Sequence, residues 1–397
     1  MSTITIKNIG PIKNITLELN KVNVIMGPQS IGKSTIAKII SYCEWVEKRY
    51  LLDFEFNYNF KDQFIDFHRV SEEYFSKDSL IDYKSNIIHI SYKGLLHKQK
   101  IDRISGENYA KSKNIYMPAE RNFVFAIPNL GKYKRTNDNI MNFIYDWFEV
   151  KRKYTKENVF PILNLGVSYY NVPGIDLDKL ILHEKQKELL MENASSGLQS
   201  VVPILLLIDY LTLGFHNEKE TESFYQKEKY EKEIDEIKKR AKEEESFDVD
   251  LKEILISLLE QRKYQFSSFI IEEPEQNLFP KTQRDLVYYM LHKINDKKRD
   301  HKLLVTTHSP FILYALNNCM MGYLIKDNMP KKEQKELESN QSWIDPNLVS
   351  VWEIDENKGT IKSIKDKKTG TISKNYFNSI MNEVMNEYYE MLNYLEV

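Results

Sequence analysis

Residues 26–35 read MGPQSIGKST. Glycines at 27 and 32 followed by Lys33 and Ser34 fit G-x-x-x-x-G-K-[ST], a spacing that lets the backbone wrap a phosphate and aim its N–H groups at it. Gly27, Pro28, Gln29, Ser30, Ile31 and Gly32 would form the cradle. Lys33 would reach the β and γ phosphates, the Ser34 hydroxyl would ligate Mg²⁺, and Thr35 would touch the α phosphate. Two acids, Glu272 and Glu273, end the apolar run FII. Acids at the carboxyl end of a buried strand face a cleft, where one can hold the Mg²⁺ shell and the other can polarise an attacking water. Without a phosphate loop, the same pair would read as a solvated turn. His308 follows LLVTT; there it can hydrogen-bond a γ phosphate and report its presence, although a lone histidine is most often structural. Ser195-Ser196-Gly197 opens the apolar run SVVPILLLIDYL. A Ser-Gly pair at a helix start is an anion site, and by itself would be no more than a helix cap.

These residues need a scaffold. TITIKNI and NITLEL alternate as two strands joined at Gly10-Pro11. VNVIM is a third strand running into the glycine loop, and STIAKIISYCEWV is the apolar helix after it. FSSFIIEEPEQ, TQRDLVYYMLHKI and HKLLVTTHSP read as strand, amphipathic helix and strand, which implies a parallel pair with a right-handed crossover. VSVWEI and GTIKSI suggest a hairpin, and NYFNSIMNEVMNEYYEML a helix. Residues 46–112 are aromatic and charged, with NIIHISYK as the one strand-like run, and are expected to form an inserted lobe. Residues 134–192 suggest helical segments and loops around Pro161 and Pro173. Residues 217–245 hold nineteen charged residues in twenty-nine, with acid-first pairs such as Glu228–Lys232 and Glu236–Arg240. With DLKEILISLLEQ they read as a helical arm, equally a solvated surface helix or a partner-binding one.

Bulk composition narrows the classes. A formal net charge of -2 and a pI near 6.5 give no chain-wide basic surface for nucleic acid, leaving room only for a local basic stripe. Two cysteines are too few for a disulfide framework and fit a reducing compartment. The N-terminal residues carry no apolar signal region. VVPILLLIDYLTLGF contains Pro203 and Asp209 and falls short of the ~20 residues of a membrane span. These features imply a soluble cytoplasmic protein with no membrane partner.

The order GPQSIGKST, SSGLQS, IIEEPEQNLFP, VTTHSP resembles the ABC-type ATPase head, of the SMC-like, RecF-like and OLD-like (overcoming lysogenization defect) kind. NIGPIKNITLELNKVNVIMG is similar to the N-terminal strands of such heads, and EEPEQNLFP resembles the OLD-type Walker B and D-loop. The resemblance implies an α/β fold with a mixed sheet and P-loop core, interrupted by helical and α+β lobes. The core would occupy 1–45, 113–216 and 263–397, with insertions at 46–112 and 217–262. It assigns Lys33 and Ser34 to Walker A, Glu272 to the metal-holding Walker B acid and Glu273 to the catalytic glutamate. Asn277 falls in the D-loop, and His308 becomes the switch histidine. Ser196 and Gly197 match the signature, which completes the ATP site of the opposite subunit in a homodimer. Glu120 and Arg121, in YMPAERN, fall where the Q-loop would be, with no glutamine present.

The sequence after Ser309-Pro310 holds no strand ending in a lone Glu followed by an Asp-x-Asp pair. A Toprim nuclease domain, and DNA cleavage by this chain, are therefore not expected. Stand-alone heads of this kind resemble the ATPase halves of two-gene phage-defence systems, where the ATPase restrains a separate effector, often a nuclease or toxin. The competing expectations are a DNA-clamping maintenance ATPase and a slow nucleotide-dependent structural switch.

Overall fold

In the computed structural model the described residues are 2–53, 56–96, 98–106, 109–127, 138–216 and 264–395. The charged arm at 217–262 lies outside them.

Three sheets organise the described chain. The first joins β1 (Ser2–Ile9) and β2 (Ile12–Leu19) to β4 (Phe75–Lys84), β5 (Ile88–Lys93) and β6 (Lys98–Arg103), all antiparallel, in the order β2-β1-β4-β5-β6. Residues 46–112 therefore do more than carry one strand: they supply three, and these complete the sheet that the N-terminal strands begin. β5 is the strand-like run NIIHISYK, whereas β4 and β6 consist mostly of polar and charged residues and carry no clear apolar alternation. Ser79, Ile81 and Tyr83 in β4 and Ile88, Ile90 and Tyr92 in β5 are buried at the two-residue period.

The second sheet is the six-stranded mixed sheet β15-β14-β3-β13-β12-β7. β3 (Val22–Met26) is central, parallel to β13 (Lys302–Thr307) and to β14 (Val349–Asp355). β12 (Phe266–Glu272) lies parallel between β13 and β7 (Ser112–Met117), and β15 (Thr360–Ser363) closes the expected hairpin with β14. All five residues of β3 are buried, as befits a parallel strand covered on both faces. Val24, Phe269, Ile271, Leu303 and Val305 point into one core, whereas Ile25, Ile270 and Leu304 point into the other.

α1 (Lys33–Asp53) is longer than the expected 34–46. Ile36, Ala37, Ile39, Ile40 and Cys43 bury it in the core shared by the first two sheets, together with α2 (Phe60–His68). On the opposite face, α4 (Asn139–Lys151), α5 (Ser196–Asp209), α6 (Pro280–Ile294) and α7 (Pro310–Ile325) cover the sheet. A one-turn α3 (Phe123–Ala126) follows β7, α8 (Lys331–Glu336) follows α7, and α9 (Tyr376–Leu392) follows the hairpin.

Residues 134–192 differ from the expectation of helices and loops. After α4 they form the third sheet, antiparallel in the order β11-β10-β9-β8, from β8 (Phe160–Pro161), β9 (Val167–Val172), β10 (Leu177–Leu182) and β11 (Lys187–Leu190). Pro161 sits in the two-residue edge strand β8, a position that tolerates a missing N–H.

Ser196–Gly214 is long and apolar enough to cross a membrane by length and composition, but 67% of its most apolar window is buried inside the protein. Val201, Ile204, Leu205 and Ile208 are fully buried in the core. Core placement thus accounts for its apolar character.

Candidate functional site

β3 ends at Met26, and the chain turns through Gly27–Gly32 into α1. Gly27 (φ 150°), Ser30 (φ 62°) and Gly32 (φ 101°) adopt positive φ, so the loop curls tightly at the helix start. A Cβ at Gly27 would come within 2.4 Å of Ile31 Cδ1, and one at Gly32 within 3.0 Å of Ile12 and Pro11. The Lys33 ammonium is 5% exposed and donates to the carbonyls of Gly27 (2.9 Å) and Pro28 (2.6 Å). Burial pushes its pKa down, and the charges of Glu273, Glu275 and Glu272 push it back up. The first N–H groups of α1 have no intrahelical acceptor and carry the positive end of the helix dipole, so the curled loop is suited to an anion.

β12 brings the acids to the same end of the sheet. Glu272 is 5% exposed, accepts a hydrogen bond from the Tyr116 hydroxyl, and faces the Ser34 side chain. Burial raises its pKa, against the opposing pull of Tyr116, Lys38 and Ser34. Ser34, Lys38, Tyr116, Glu120, Asn139 and Glu272 line part of one cleft of about 590 Å³. A hydroxyl and a carboxylate on adjacent elements form an oxygen-only donor set, suited to a hard divalent cation.

Glu273 leaves the strand in a left-handed conformation (φ 43°) and is tied to β13 by its N–H to the Thr306 carbonyl (2.9 Å). Its Oε1 lies 3.4 Å from His308 Nδ1. The adjacent His308 imidazole holds the Glu273 carboxyl below its ordinary range, and Glu273 together with Glu275 raises the His308 imidazole. Glu273 is therefore ionised and His308 biased towards its charged form. Asn277 also has a positive φ, at 61°. Together with Ser30, the motifs hold three non-glycine residues in a strained region.

Two residues outside the expected set belong here. Glu275 is buried, and its Oε1 accepts from the Thr307 hydroxyl and the His308 N–H, both at 2.7 Å. Its Oε2 is buried without a hydrogen-bond partner, and burial raises its pKa. A third acid two positions after the pair was visible in EEPEQ, but only the β12–β13 pairing puts it beneath His308. Tyr116 could be found only from the parallel register of β7 with β12.

Arg121 is fully buried. Nη1 donates to the carbonyls of Glu272 (2.8 Å), Pro118 (3.1 Å) and Ala119 (3.4 Å), Nη2 to Glu273 (2.8 Å), and Nε to Ser200 (2.9 Å). Burial lowers its pKa to about 10. Of the two residues considered for the Q-loop, Arg121 is thus a crosslink between the acid-bearing turn and α5, with its donors directed at main-chain carbonyls. Glu120 is the exposed one and lines the cleft.

Ser195 caps α5 through the Leu198 N–H (3.5 Å), and Ser196 is exposed at the helix start. A Cβ on Gly197 would fall 2.7 Å from the Asn277 carbonyl, and Asn277 Nδ2 donates to Ser200 Oγ (3.2 Å). Asn277 and the Ser196–Gly197 turn therefore form a second locus in the same chain. It is joined to the acids through Arg121, and Ser196 and Gly197 are not among the residues lining the cleft beside Ser34.

No family model matches the chain, and no curated protein does. Among solved structures, the chain is similar to the SMC head domain from Thermotoga maritima, at 11% identity over 92% of this chain and 98% of that one, with a TM-score of 0.38. The Smc head from Pyrococcus furiosus, solved with an extended coiled coil and bound to the C-terminal domain of ScpA, gives 10% identity over 98% and 100%, with a TM-score of 0.41. The recombination mediator protein RecF gives 9% identity over 91% and 97%, with a TM-score of 0.35.

Proposed function

We propose that this chain is a cytoplasmic ATP-binding and hydrolysing ABC-type head that closes as a homodimer around ATP and Mg²⁺ and restrains a separate effector, a nuclease or toxin, in antiphage defence. One observation carries the ATPase reading: Lys33, Ser34, Glu272, Glu273 and His308 gather at the carboxyl ends of β3, β12 and β13, three adjacent parallel strands. The residues present fit the groups. The curled loop and Lys33 suit a triphosphate, and Ser34 with Glu272 suits Mg²⁺. ATP would supply the phosphoanhydride bond. Glu273, kept ionised, takes the proton from the attacking water, and His308 holds that carboxylate in place while facing the same space. In this reading Ser196, exposed at a capped helix start, meets the nucleotide of a second copy.

The effector part of the proposal rests on the resemblance of an OLD-like head, with no Toprim-type acidic pattern after Ser309-Pro310, to the ATPase halves of two-gene phage-defence systems. A pull-down of tagged Glu273→Gln protein from its native host tests it. A stoichiometric nuclease or toxin supports the proposal, whereas nucleic acid without such a protein replaces it with a DNA-clamping ATPase. For the ATPase itself, Lys33→Ala should abolish nucleotide binding. Mixing the Lys33→Ala and Ser196→Arg chains should restore part of the turnover each lacks, and no recovery would refute the shared site.

A further inference from the structure

The acid two positions beyond Glu273 is the part of the site to which the ATPase reading gives no task. Glu275 follows Pro274 in the turn after β12 and is 5% exposed. Its two oxygens are used unequally. Oε1 accepts from the Thr307 hydroxyl and from the His308 N–H, both at 2.7 Å, whereas Oε2 is buried with no hydrogen-bond partner. A buried acceptor without a donor is unfavourable. A glutamine would offer the same two donors an acceptor without burying a charge. Packing and main-chain bonding therefore leave the acid at this position unexplained.

His308 supplies the missing reason. Its Nδ1 is buried and also makes no hydrogen bond. It lies 3.4 Å from Glu273 Oε1 and 3.6 Å from Glu275 Oε1. The imidazole thus stands between two carboxylates at nearly equal distance, and a modest rotation about its broad χ2 completes a bond to either. The two acids differ in freedom. The Glu273 side chain is 23% exposed, whereas that of Glu275 is 4% exposed and pinned by its two donors. The surrounding charges agree with a shared ring. Glu275 and Glu273 both favour the imidazolium, Lys33 opposes it, and Arg121 is the other cation that feels Glu275.

We propose that Glu275 is a positioning residue: it is the fixed second partner of the His308 ring and keeps the imidazole in place when Glu273 turns away to take the proton of the attacking water. The inference rests on the ATPase reading for that purpose; the contacts themselves do not depend on it. With a single acid, departure of Glu273 would leave the half-buried imidazolium without a counter-charge. With two, the ring keeps its charge and its place.

Titration of His308 in the full chain without nucleotide tests this, followed by NMR of isotope-labelled histidine and assigned with His308→Gln. Glu275→Gln should move the His308 midpoint down by about one pH unit, a tenfold loss of proton affinity, as expected for removing one opposite charge at this distance. Glutamine keeps an acceptor at Oε1, so the circular dichroism should be unchanged. Thr307→Val withdraws a donor that competes for Oε1 and should move the midpoint up; it decides the matter if Glu275→Gln fails to fold. In turnover, the alkaline limb of the pH profile of Glu275→Gln should shift down with the titration. A midpoint unmoved by Glu275→Gln, a midpoint not raised by Thr307→Val, or an alkaline limb that stays in place while the midpoint moves would overturn the inference. A wild type that hydrolyses no ATP would instead refute the ATPase reading, and the titration would still decide whether Glu275 holds the ring.

Discussion

Arg121→Met offers the sharpest test of how the site is held together. The substitution keeps much of the side-chain volume and deletes a fully buried guanidinium with five hydrogen bonds of 2.8–3.4 Å to main-chain carbonyls. Each such bond contributes about 1 kcal/mol net, and a buried acceptor left without a partner costs about 1–3 kcal/mol. The five carbonyls share one donor group and can partly re-pair, so the separate values do not add. A loss of about 2–4 kcal/mol is expected, from a few buried carbonyls left without a donor. That is a large share of the ~5–15 kcal/mol that holds a typical domain folded. Urea unfolding of the wild type, Arg121→Met and Arg121→Lys measures it. Lysine keeps a charge but cannot span Ser200 on α5 and the two glutamate carbonyls at once, so it should recover less than half of the loss. If Arg121→Met lost under ~1 kcal/mol while nucleotide binding vanished, Arg121 would be a ligand-contacting group and the crosslink reasoning would be refuted.

Three further outcomes follow from the same geometry. Glu273→Gln should retain nucleotide binding and lower turnover about 10²–10⁴-fold, the usual range for a lost general base, as measured by phosphate release and by titration with labelled nucleotide. The Glu273–His308 pair should stabilise the protein in a bounded pH window. Raised above its ordinary 6.5, His308 contributes fully below that value and loses its contribution as pH rises through its folded pKa. Lowered from 4.5, Glu273 contributes above that value and loses its contribution as pH falls through its folded pKa. The stability lost in His308→Gln should therefore be larger near pH 5.5 than at pH 9; an equal loss at both, in paired thermal melts, would count against the ion pair. Gly197→Ala puts a methyl group 2.7 Å from the Asn277 carbonyl, an overpacking expected to lower stability by about 1–3 kcal/mol; an unchanged melting temperature would show that the Asn277 turn moves freely away from α5.

Local order was open to reading from residues alone because each signal acts over a few positions. The glycines at 27 and 32, the lysine and serine after them, and the strand VNVIM before them are dictated by steric freedom and hydrophobic period. The same holds for FII ending in two acids, for the 282–294 helix and for the hairpin near 349–364, all of which the fold contains. Partnerships across the chain were decided only in three dimensions. Nothing local to 75–103 shows that its strands finish a sheet begun by residues 2–19, since antiparallel pairing is set by which faces must be buried together. Arg121 carried no mark distinguishing a metal loop from a crosslink, because the difference lies in five carbonyls supplied by residues 2, 3, 79, 151 and 152 positions away. Glu275 and Tyr116 likewise acquired their places from the register of β7, β12 and β13. Sequence sets the chemistry each residue can offer; sheet register and burial select which of those groups meet, because hydrogen bonds and desolvation depend on neighbours that are distant along the chain.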